Sequence, residues 1–219
     1  MRLPIQDTLL GPKTVHSFSF NEGEIIRDIL RLHCGSHEIE CDPTFSIGGF
    51  YERNGIPKPV YRFDILPQLA GVTRASADKL PLPNESIRVL MFDPPFLAGL
   101  DRSGHGVMRD RFSSFASIRE LWAFYAASLV EFHRVLAPSG VLIFKCQDTV
   151  DGGLNKFSHV EVMNQAVRVG FYPKDLLILL ARNRIVDVPP ERQQHARKFH
   201  CYFWVFEKNG KSAHYSAIP

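Results

Sequence analysis

The residues with the clearest chemical potential are Asp93-Pro94-Pro95-Phe96, which directly follow the apolar run 88–92. Such a run, stopping at turn-forming residues, is typical of a buried strand entering a loop. The two prolines fix their own φ and remove two backbone donors, which leaves a stiff loop rich in acceptors. A carboxylate beside such carbonyls can accept both protons of an amino group, and Phe96 offers a flat ring. The loop therefore suits a planar aromatic amine such as a nucleobase, although an Asp that only caps a turn would leave the same pattern.

Four predicted strands end at or just before an acidic residue. These acids are Asp42, Asp64, Asp78 and Asp93. In a parallel α/β sheet, ligands bind beyond the carboxyl ends of the strands. We therefore expect the four carboxylates to meet at one rim of the sheet and to form a binding site. The alternative is a set of solvated loop aspartates, and Asp64 in particular could cap a helix before Pro67.

Apolar runs alternate with helical patterns along the chain, and this alternation determines the expected fold. Strands are predicted over 38–41, 60–63, 71–75, 88–92 and 141–144, with two final strands over 176–180 and 202–206. Helices are predicted to begin at Asn21, Ser117 and about Ser158, and to end at Gly35, Leu136 and Gly170. Strands and helices in this order predict an α/β fold, with a mostly parallel sheet covered by helices on both faces.

The composition is that of an ordinary globular protein. The 219 residues are 45% hydrophobic, enough for one sizeable core, and we expect a single domain. The net charge is only +3, so binding to nucleic acid would need local clusters of positive residues. No signal peptide is visible, and no apolar run reaches the roughly 18 residues that a membrane span needs. A cytoplasmic protein is therefore expected.

The cysteines favour a reduced protein without a metal site. Cys34, Cys41, Cys146 and Cys201 form no Cys-x-x-Cys pair, which is typical of free thiols in the cytosol. His33, Cys34, His37 and Cys41 lie close together in sequence. Their spacing matches no common zinc pattern, and the group would have to straddle a helix end and a strand. We therefore expect no metal.

The chain resembles the S-adenosylmethionine-dependent amino-methyltransferases that modify adenine N6 or cytosine N4 in DNA. The family's signature loop, Asp/Asn/Ser-Pro-Pro-Tyr/Phe/Trp, is matched by residues 93–96, and its cofactor loop, Asp-Pro-Phe-x-Gly-Ser-Gly, is similar to residues 42–48. The likeness covers about residues 38–206 and is greatest to small methylases of phage and prophage type, including the segment 192–200. Ser46 departs from the pattern, because the family has glycine there.

This resemblance implies a Rossmann-like methyltransferase sheet of about seven strands, mostly parallel with an antiparallel final hairpin. We expect one domain over residues 1–219, with an irregular segment 1–20, a core of about 21–208 and a short tail 209–219. The implied cofactor is S-adenosyl-L-methionine, bound by Asp42, Pro43, Thr44, Ser46, Gly48, Gly49, Asp64 and Asp78. Asp42 would anchor the amino-acid end of the cofactor, Asp64 the ribose and Asp78 the adenine amine.

The resemblance also implies catalysis by Asp93, Pro94, Pro95 and Phe96. The amine nitrogen of a flipped or single-stranded base would attack the methyl group directly, with its N–H bonds held by Asp93 and the Pro94 carbonyl and the base stacked on Phe96. Two alternatives stay open. Enzymes that methylate guanine N2 in RNA carry the same loop, and the chain could be a non-catalytic relative that only binds nucleic acid.

Two basic segments are candidates for contact with nucleic acid, DNA in the first place. They contribute Arg102, Arg109, Arg111, Arg184, Arg192, His195, Arg197 and Lys198. Positive side chains beside a site suit phosphate contacts, although charge runs are also typical of a solvated surface. Lys145, Gln147 and Asp148, which follow the fifth predicted strand, either line the base pocket or are solvated. No membrane partner is expected, and the chain is either a monomer or a homodimer.

Overall fold

An eight-stranded sheet forms the centre of the computed structural model, which describes residues 14–35, 37–96, 98, 115–181 and 193–210. The strands of this sheet are β1 (Phe18–Ser19), β2 (Cys41–Asp42), β3 (Tyr61–Asp64), β4 (Thr73–Arg74), β5 (Ile87–Phe92), β6 (Leu136–Cys146), β9 (Tyr172–Leu180) and β10 (His200–Glu207). Their order in space is β1-β9-β10-β6-β5-β2-β3-β4. Only β10 runs antiparallel to its neighbours. The predicted Rossmann-like α/β class, with an antiparallel final hairpin, is confirmed.

Helices cover both faces of this sheet. The described helices are α1 (Glu22–His33), α2 (Gly49–Asn54), α3 (Ile118–Val135) and α4 (Ser158–Val169). Successive residues of a strand point to opposite faces, and β5 shows the result. Val89 and Met91 pack in the core formed with α1 and α2, whereas Leu90 and Phe92 pack in the core formed with α3 and α4. The central strands are therefore buried on both faces, as a parallel sheet requires.

The helix ends follow the local signals in the sequence. The side chain of Asn21 accepts a hydrogen bond from the backbone N–H of Glu24 and caps α1. Ser117 caps α3 in the same way through the N–H of Glu120. Gly170 ends α4 with a φ of 108°, a left-handed conformation that glycine adopts without a steric penalty. These three predicted boundaries are confirmed within a residue.

The structure contains elements that were not expected, among them the short helix α2. Residues 18 and 19, assigned to the irregular N-terminal segment, form β1 and pair with β9, so the main sheet has one strand more than the expected seven or so. A second sheet, the hairpin of β7 (Thr149–Asp151) and β8 (Leu154–Lys156), was not predicted. The strand predicted over 141–144 is longer than expected, because β6 begins at Leu136, directly after α3, and the N–H of Ser139 donates to the carbonyl of Lys208.

Three further properties concern the described part of the chain. None of its helices is long and apolar enough to cross a membrane. The cysteines Cys34, Cys41, Cys146 and Cys201 are buried free thiols. Among the described residues, no group of three or more histidine, cysteine or acidic side chains is arranged to hold a metal ion.

Candidate functional site

The order of the strands reverses between β2 and β5. From β2 the chain proceeds outward to β3 and β4, and then returns to β5 on the other side of β2 and continues to β6. In open α/β sheets, the crevice at such a switch point, beyond the carboxyl ends of the strands, is the usual ligand-binding site. The loops that leave the sheet here are residues 43–48 after β2 and residues 93–96 after β5.

Asp42 organises the loop after β2. Its Oδ1 accepts hydrogen bonds from the backbone N–H and the hydroxyl of Thr44 at 2.7 and 2.9 Å, and its Oδ2 accepts one from the Tyr51 hydroxyl at 2.7 Å. Burial raises the pKa of Asp42 to about 7, although these hydrogen bonds favour the charged form and act in the opposite direction. Asp42 is thus a buried anchor of the loop, with only 3% of its surface exposed.

The rest of this loop is fixed by its backbone. Ser46, at the departure from the family pattern, has a φ of 55°, the left-handed conformation that glycine would supply there. Its N–H donates to Oδ2 of Asp64 at 2.9 Å, while the N–H of Leu66 donates to Oδ1. Gly48 also has a positive φ of 71°, and a Cβ at this position would lie 2.6 Å from Cζ of Phe45. Asp64 therefore braces the loop after β2 and caps its own turn.

Of the remaining predicted cofactor residues, Pro43 and Gly49 adjoin the same loop, and Asp78 does not. Pro43 is buried beside Asp42, and Gly49 is the first residue of α2. Asp78 is exposed in a turn closed by the N–H of Lys79 on the carbonyl of Ser76. Three of the four rim aspartates therefore meet at the loop after β2, and Asp78 lies apart from them.

Thr44 connects the two loops of the switch point. Its hydroxyl oxygen, which donates to Asp42, accepts the backbone N–H of Asp93 at 3.1 Å. From the other face of the sheet, the hydroxyl of Tyr125 in α3 donates to the carbonyl of Pro95. The proline loop is therefore held at both ends, and the position of the Asp93 carboxylate is set by two separate elements.

The carboxylate of Asp93 forms an ion pair with Lys145 at the end of β6. Nζ of Lys145 lies 3.0 Å from Oδ2 of Asp93 and 2.7 Å from Oε1 of Glu22, the first residue of α1. Oε2 of Glu22 in turn accepts from the side chains of Asn54 and Arg53. Three rings surround the ammonium group, with centroids 5.6–5.9 Å from Nζ: Phe50, Phe96 and Phe203. Lys145 and Glu22 are 10% and 12% exposed, so this is a largely buried group of charges.

Each charge in this group changes the pKa of the others. Burial raises the pKa of Asp93, which the Lys145 ammonium opposes and the Glu22 carboxylate increases. Burial alone would lower the pKa of Lys145, but Asp93 and Glu22 outweigh it and hold that pKa above its ordinary value. Burial would likewise raise the pKa of Glu22, but Lys145 and the donors Asn54 and Arg53 hold it below its ordinary value. The ammonium therefore favours the ionised form of both carboxylates, and the two carboxylates favour the charged form of Lys145.

Sequence reasoning missed the role of Glu22 and only partly found Lys145. Glu22 lies in the first turn of α1, where acids are common at any helix start, and its partner Lys145 is 123 residues away in sequence. The role of Lys145 could have been inferred from the sequence, because this lysine follows the apolar run 141–144 in a buried strand. A lysine there needs a carboxylate partner, since a buried lysine without one would lose its charge.

A cleft opens beyond the ends of β3 and β4, next to the loop after β2. Its volume is about 530 Å³, and it is lined by Ile65, Arg74, Ala75, Ser76, Lys79, Leu80 and Pro81. Ile65 directly follows Asp64, whose backbone carbonyl accepts the N–H of Ala75. The walls are mostly apolar with a few polar groups, as is typical of sites for small organic ligands of this size.

The predicted residues beyond β6 have structural partners. Gln147 donates to the carbonyls of Lys198 and His200, and Asp148 accepts from the ring and the backbone N–H of His159. These contacts tie the chain before β10 and the start of α4 to the end of β6. Of the predicted nucleic-acid contacts, His195, Arg197 and Lys198 lie on this chain before β10. Arg102, Arg109, Arg111, Arg184 and Arg192 fall outside the described residues.

No protein-family model matches this sequence, and no curated protein matches it either. Solved structures similar to the chain include a protein from Thermus thermophilus, provisionally assigned as a DNA modification methylase and bound to S-adenosyl-L-methionine (18% identity, 61% of this chain and 52% of that chain, TM-score 0.43). They also include the cytosine-N4-specific PvuII DNA methyltransferase (16% identity, 64% and 50%, TM-score 0.44) and the [4+2]-cyclase SpnF (13% identity, 86% and 82%, TM-score 0.49).

The matched regions cover about half the length of the two DNA methylases. The similar structures include DNA methyltransferases, the class of enzyme that the sequence resembles, but also a cyclase. At such low identities and TM-scores, these likenesses carry no argument about the reaction. The function has to be argued from the site itself.

Proposed function

We propose that this chain is an S-adenosyl-L-methionine-dependent methyltransferase that methylates the exocyclic amine of a base in nucleic acid, in the first place adenine N6 or cytosine N4 in DNA. One observation carries the proposal. At the switch point, Oδ2 of Asp93 is bound by Lys145, and no described residue donates to Oδ1. An acceptor of this kind, beside proline carbonyls and the ring of Phe96, fits an aromatic amine.

The amine is the part of the substrate that these residues can bind. An exocyclic amine has two N–H groups, and its lone pair is conjugated into the ring, which makes it a poor nucleophile. Oδ1 of Asp93 and the carbonyl of Pro94 accept the two N–H bonds and favour a pyramidal nitrogen with a free lone pair. Because the proline loop is held by Thr44 and Tyr125, these acceptors are already in position before the substrate binds, which is where most of the acceleration would come from.

The charge on Asp93 serves the same step. As the nitrogen acquires positive charge, its hydrogen bond to a carboxylate strengthens, and the released proton passes to Oδ1 or to solvent. Lys145 favours the ionised form of Asp93 and holds the carboxylate in one orientation, and Glu22 fixes Lys145.

The residues on the other side of the switch point fit the cofactor. The cleft of about 530 Å³ is large enough for a nucleoside, and the apolar side chains of Ile65, Leu80 and Pro81 line it. Asp64 lies at its edge, and the loop after β2, with its positive φ angles at Ser46 and Gly48, connects it to Asp93. When bound, the cofactor would supply an electrophilic methyl group, whose bond to the sulfonium sulfur breaks as its bond to the nitrogen forms, with a neutral thioether as the leaving group. Asp42 anchors this loop from beneath, whereas Asp78 has only its place in the adjacent turn to support a cofactor role.

The proposal is tested by methyl incorporation from labelled cofactor into duplex DNA, single-stranded DNA and RNA, followed by mass spectrometry of the nucleosides. We expect methylated adenine or cytosine in DNA. Asp93→Ala should nearly abolish incorporation and leave cofactor affinity, measured by calorimetry, unchanged, because Asp93 holds the amine. Glu85→Ala, which removes an exposed carboxylate paired with Lys208 away from the site, is the control and should leave both unchanged.

Other outcomes would select an alternative. N2-methylguanine in RNA would make the chain an RNA methyltransferase in which Asp93 and the Pro94 carbonyl hold the amine in the same way. A protein that binds nucleic acid but shows no cofactor binding at millimolar concentration would be a non-catalytic relative. Full activity of Asp93→Ala would show that the amine is held elsewhere.

A further inference from the structure

The β7–β8 hairpin and the chain before β10 leave the sheet at the same place. Tyr202 of β10 pairs with Cys146, the last residue of β6, so the segments that precede one and follow the other are neighbours. β6 also carries Lys145, the partner of Asp93. The hairpin begins directly after Gln147 and Asp148 and therefore lies on the same rim as the candidate site.

Specific contacts join these two segments into one surface, which we call the rim ridge (residues 149–157 and 193–199). Nε2 of His195 donates to the carbonyl of Gly153 at 2.7 Å, and its Nδ1 lies 3.3 Å from Nδ2 of Asn155. Nζ of Lys198 lies 5.9 Å from the ring centroid of Phe157. The two segments thus contact each other at the hairpin turn and again at its base.

The base of the rim ridge is rigid. The rings of His159 and Tyr202 stack at a centroid distance of 4.2 Å, and Asp148 accepts from the His159 ring at 2.8 Å. Trp204 donates to the backbone carbonyl of His159 at 2.9 Å. The ridge therefore projects from a packed foundation, which favours a preformed binding surface over a surface that orders on binding.

The rim ridge combines exposed apolar side chains with half-buried cationic ones. Leu154, Phe157 and Phe199 are 62%, 52% and 39% exposed. The ridge contains three lysine or arginine residues, Lys156, Arg197 and Lys198, and a single acid, Asp151. Exposed aromatic rings between cations, continuous with a site for a base, match the chemistry of an unpaired nucleic-acid strand, whose bases stack on rings and whose phosphates pair with lysines.

We infer that the rim ridge binds the unpaired strand on one side of the target base, with Phe157 stacking on a neighbouring base and Lys156 and Lys198 contacting phosphates. This inference rests on the proposed function. It assigns the hairpin, which has no part in the methyl-transfer step, to the capture of a single strand. The ridge would hold the strand while the amine is presented to Asp93.

The test is the binding of a fluorescent single-stranded DNA oligonucleotide across a range of salt concentrations. Phe157→Ala should weaken binding on the order of tenfold with an unchanged salt slope, because the variant removes a ring on which a base stacks. The double variant K156A/K198A should reduce the slope of log affinity against log salt by about 0.7 for each phosphate that a lysine no longer neutralises. Tyr61→Ala and Lys58→Ala, exposed residues toward the amino ends of the strands, are the matched controls.

The outcomes separate this inference from the proposed function. The rim-ridge inference would be overturned if Phe157→Ala bound DNA as tightly as Tyr61→Ala and if K156A/K198A had the same salt slope as Lys58→Ala. This conclusion would hold even if the wild type methylates DNA. If Phe157→Ala and K156A/K198A weaken binding as expected but the wild type transfers no methyl group, the rim ridge is supported and the methyltransferase proposal is overturned. Unchanged thermal midpoints in all variants exclude misfolding as the cause.

Discussion

Lys145 determines which oxygen of Asp93 can meet a substrate. Its Nζ binds Oδ2, and its other carboxylate partner, Glu22, keeps it from moving toward the open side of the site. The three rings around the ammonium exclude water and add cation–π attraction. Asp93 is thereby left with one oriented acceptor, which a carboxylate free to rotate would not provide.

Replacing Lys145 with methionine should move the pH dependence of methylation. Without the ammonium, the pKa of Asp93 rises further, so the rate falls at neutral pH and recovers at higher pH. The unfolding free energy should also fall by about 3–5 kcal/mol, since two buried carboxylates lose their cation. The measurement is the rate of methyl transfer against pH.

Two further variants make this result specific. Lys145→Arg keeps the charge and should return the pH profile toward that of the wild type. Lys208→Met removes a lysine that bonds to Glu85 and to the carbonyl of Leu136, away from the site, and should leave the profile unchanged. A Lys145→Met profile that overlays the wild type would contradict the role of the ion pair.

At the scale of elements, α1 is a component of the site. Its N-terminus is fixed by the Asn21 cap, which presents Glu22 to Lys145. Arg27 of the same helix donates to the carbonyl of Asn54, and Asn54 donates to Glu22, so the start of α1 is tied to the end of α2. Displacement of this helix would release Lys145 and, through it, Asp93.

Glu22→Gln should therefore lower the free energy of unfolding more than the same substitution elsewhere in that helical turn. The variant loses a charged hydrogen-bond acceptor in a buried group, which we expect to lower the unfolding free energy by about 1.5–3 kcal/mol. Glu24→Gln, in that turn and bonded to Ser19, is the control for the loss of charge at a helix start. Urea unfolding of the two variants measures the difference. Equal losses would show that Glu22 acts only on the helix dipole.

Local signals in the sequence were enough for most elements but not for the contacts between them. The caps at Asn21, Ser117 and Gly170 and the apolar strands are encoded within a few residues, and they were predicted. The two-residue strand β1 exists only because β9 lies beside it, and no local pattern announces that pairing. The hairpin had a signal, Gly152-Gly153, since two glycines with positive φ suit a tight turn.

The candidate site, like the fold, could be predicted from the sequence only in part. The proline loop and the aspartates at strand ends could be read directly, because α/β topology brings strand ends together. The carboxylates of Asp42 and Asp64 accept hydrogen bonds from backbone N–H groups of the loop after β2. These contacts depend on the path of that loop in space, which the sequence does not specify. The pairing of Lys145 with Glu22 depends on how α1 crosses the sheet, which sequence spacing does not contain.

At the scale of the whole molecule, the two halves of the site lie on different strands of one sheet. The cleft lies beyond β3 and β4. Asp93 and Lys145, the proposed amine clamp, lie at the ends of β5 and β6, and the loop after β2 is between the two. Cofactor binding should therefore stabilise the folded protein independently of the clamp. A ligand at 100 times its dissociation constant adds about 2.7 kcal/mol.

Ile65→Arg should abolish this stabilisation. Ile65 lines the cleft and is 59% exposed, so an arginine there obstructs the cleft without disturbing the core. Thermal unfolding with and without S-adenosyl-L-methionine should show an increase in Tm for the wild type and none for Ile65→Arg, with equal Tm values in the absence of the cofactor. Val60→Arg, at a position 76% exposed before β3, is the control and should keep the increase. The same increase in both variants would place the cofactor elsewhere.

The connection between β9 and β10 is closed at its base, where the N–H of Ala181 donates to the carbonyl of Phe199 at 2.8 Å. Each doubling of the length of a loop closed in this way costs only about 0.6 kcal/mol of loop entropy. Insertions and deletions at this place would therefore be tolerated during evolution, while the sheet and the amine clamp stay unchanged. Under the proposed function, a lineage carrying this scaffold could thus change the rim ridge by exchanging one connection, while β9 and β10 keep their pairing.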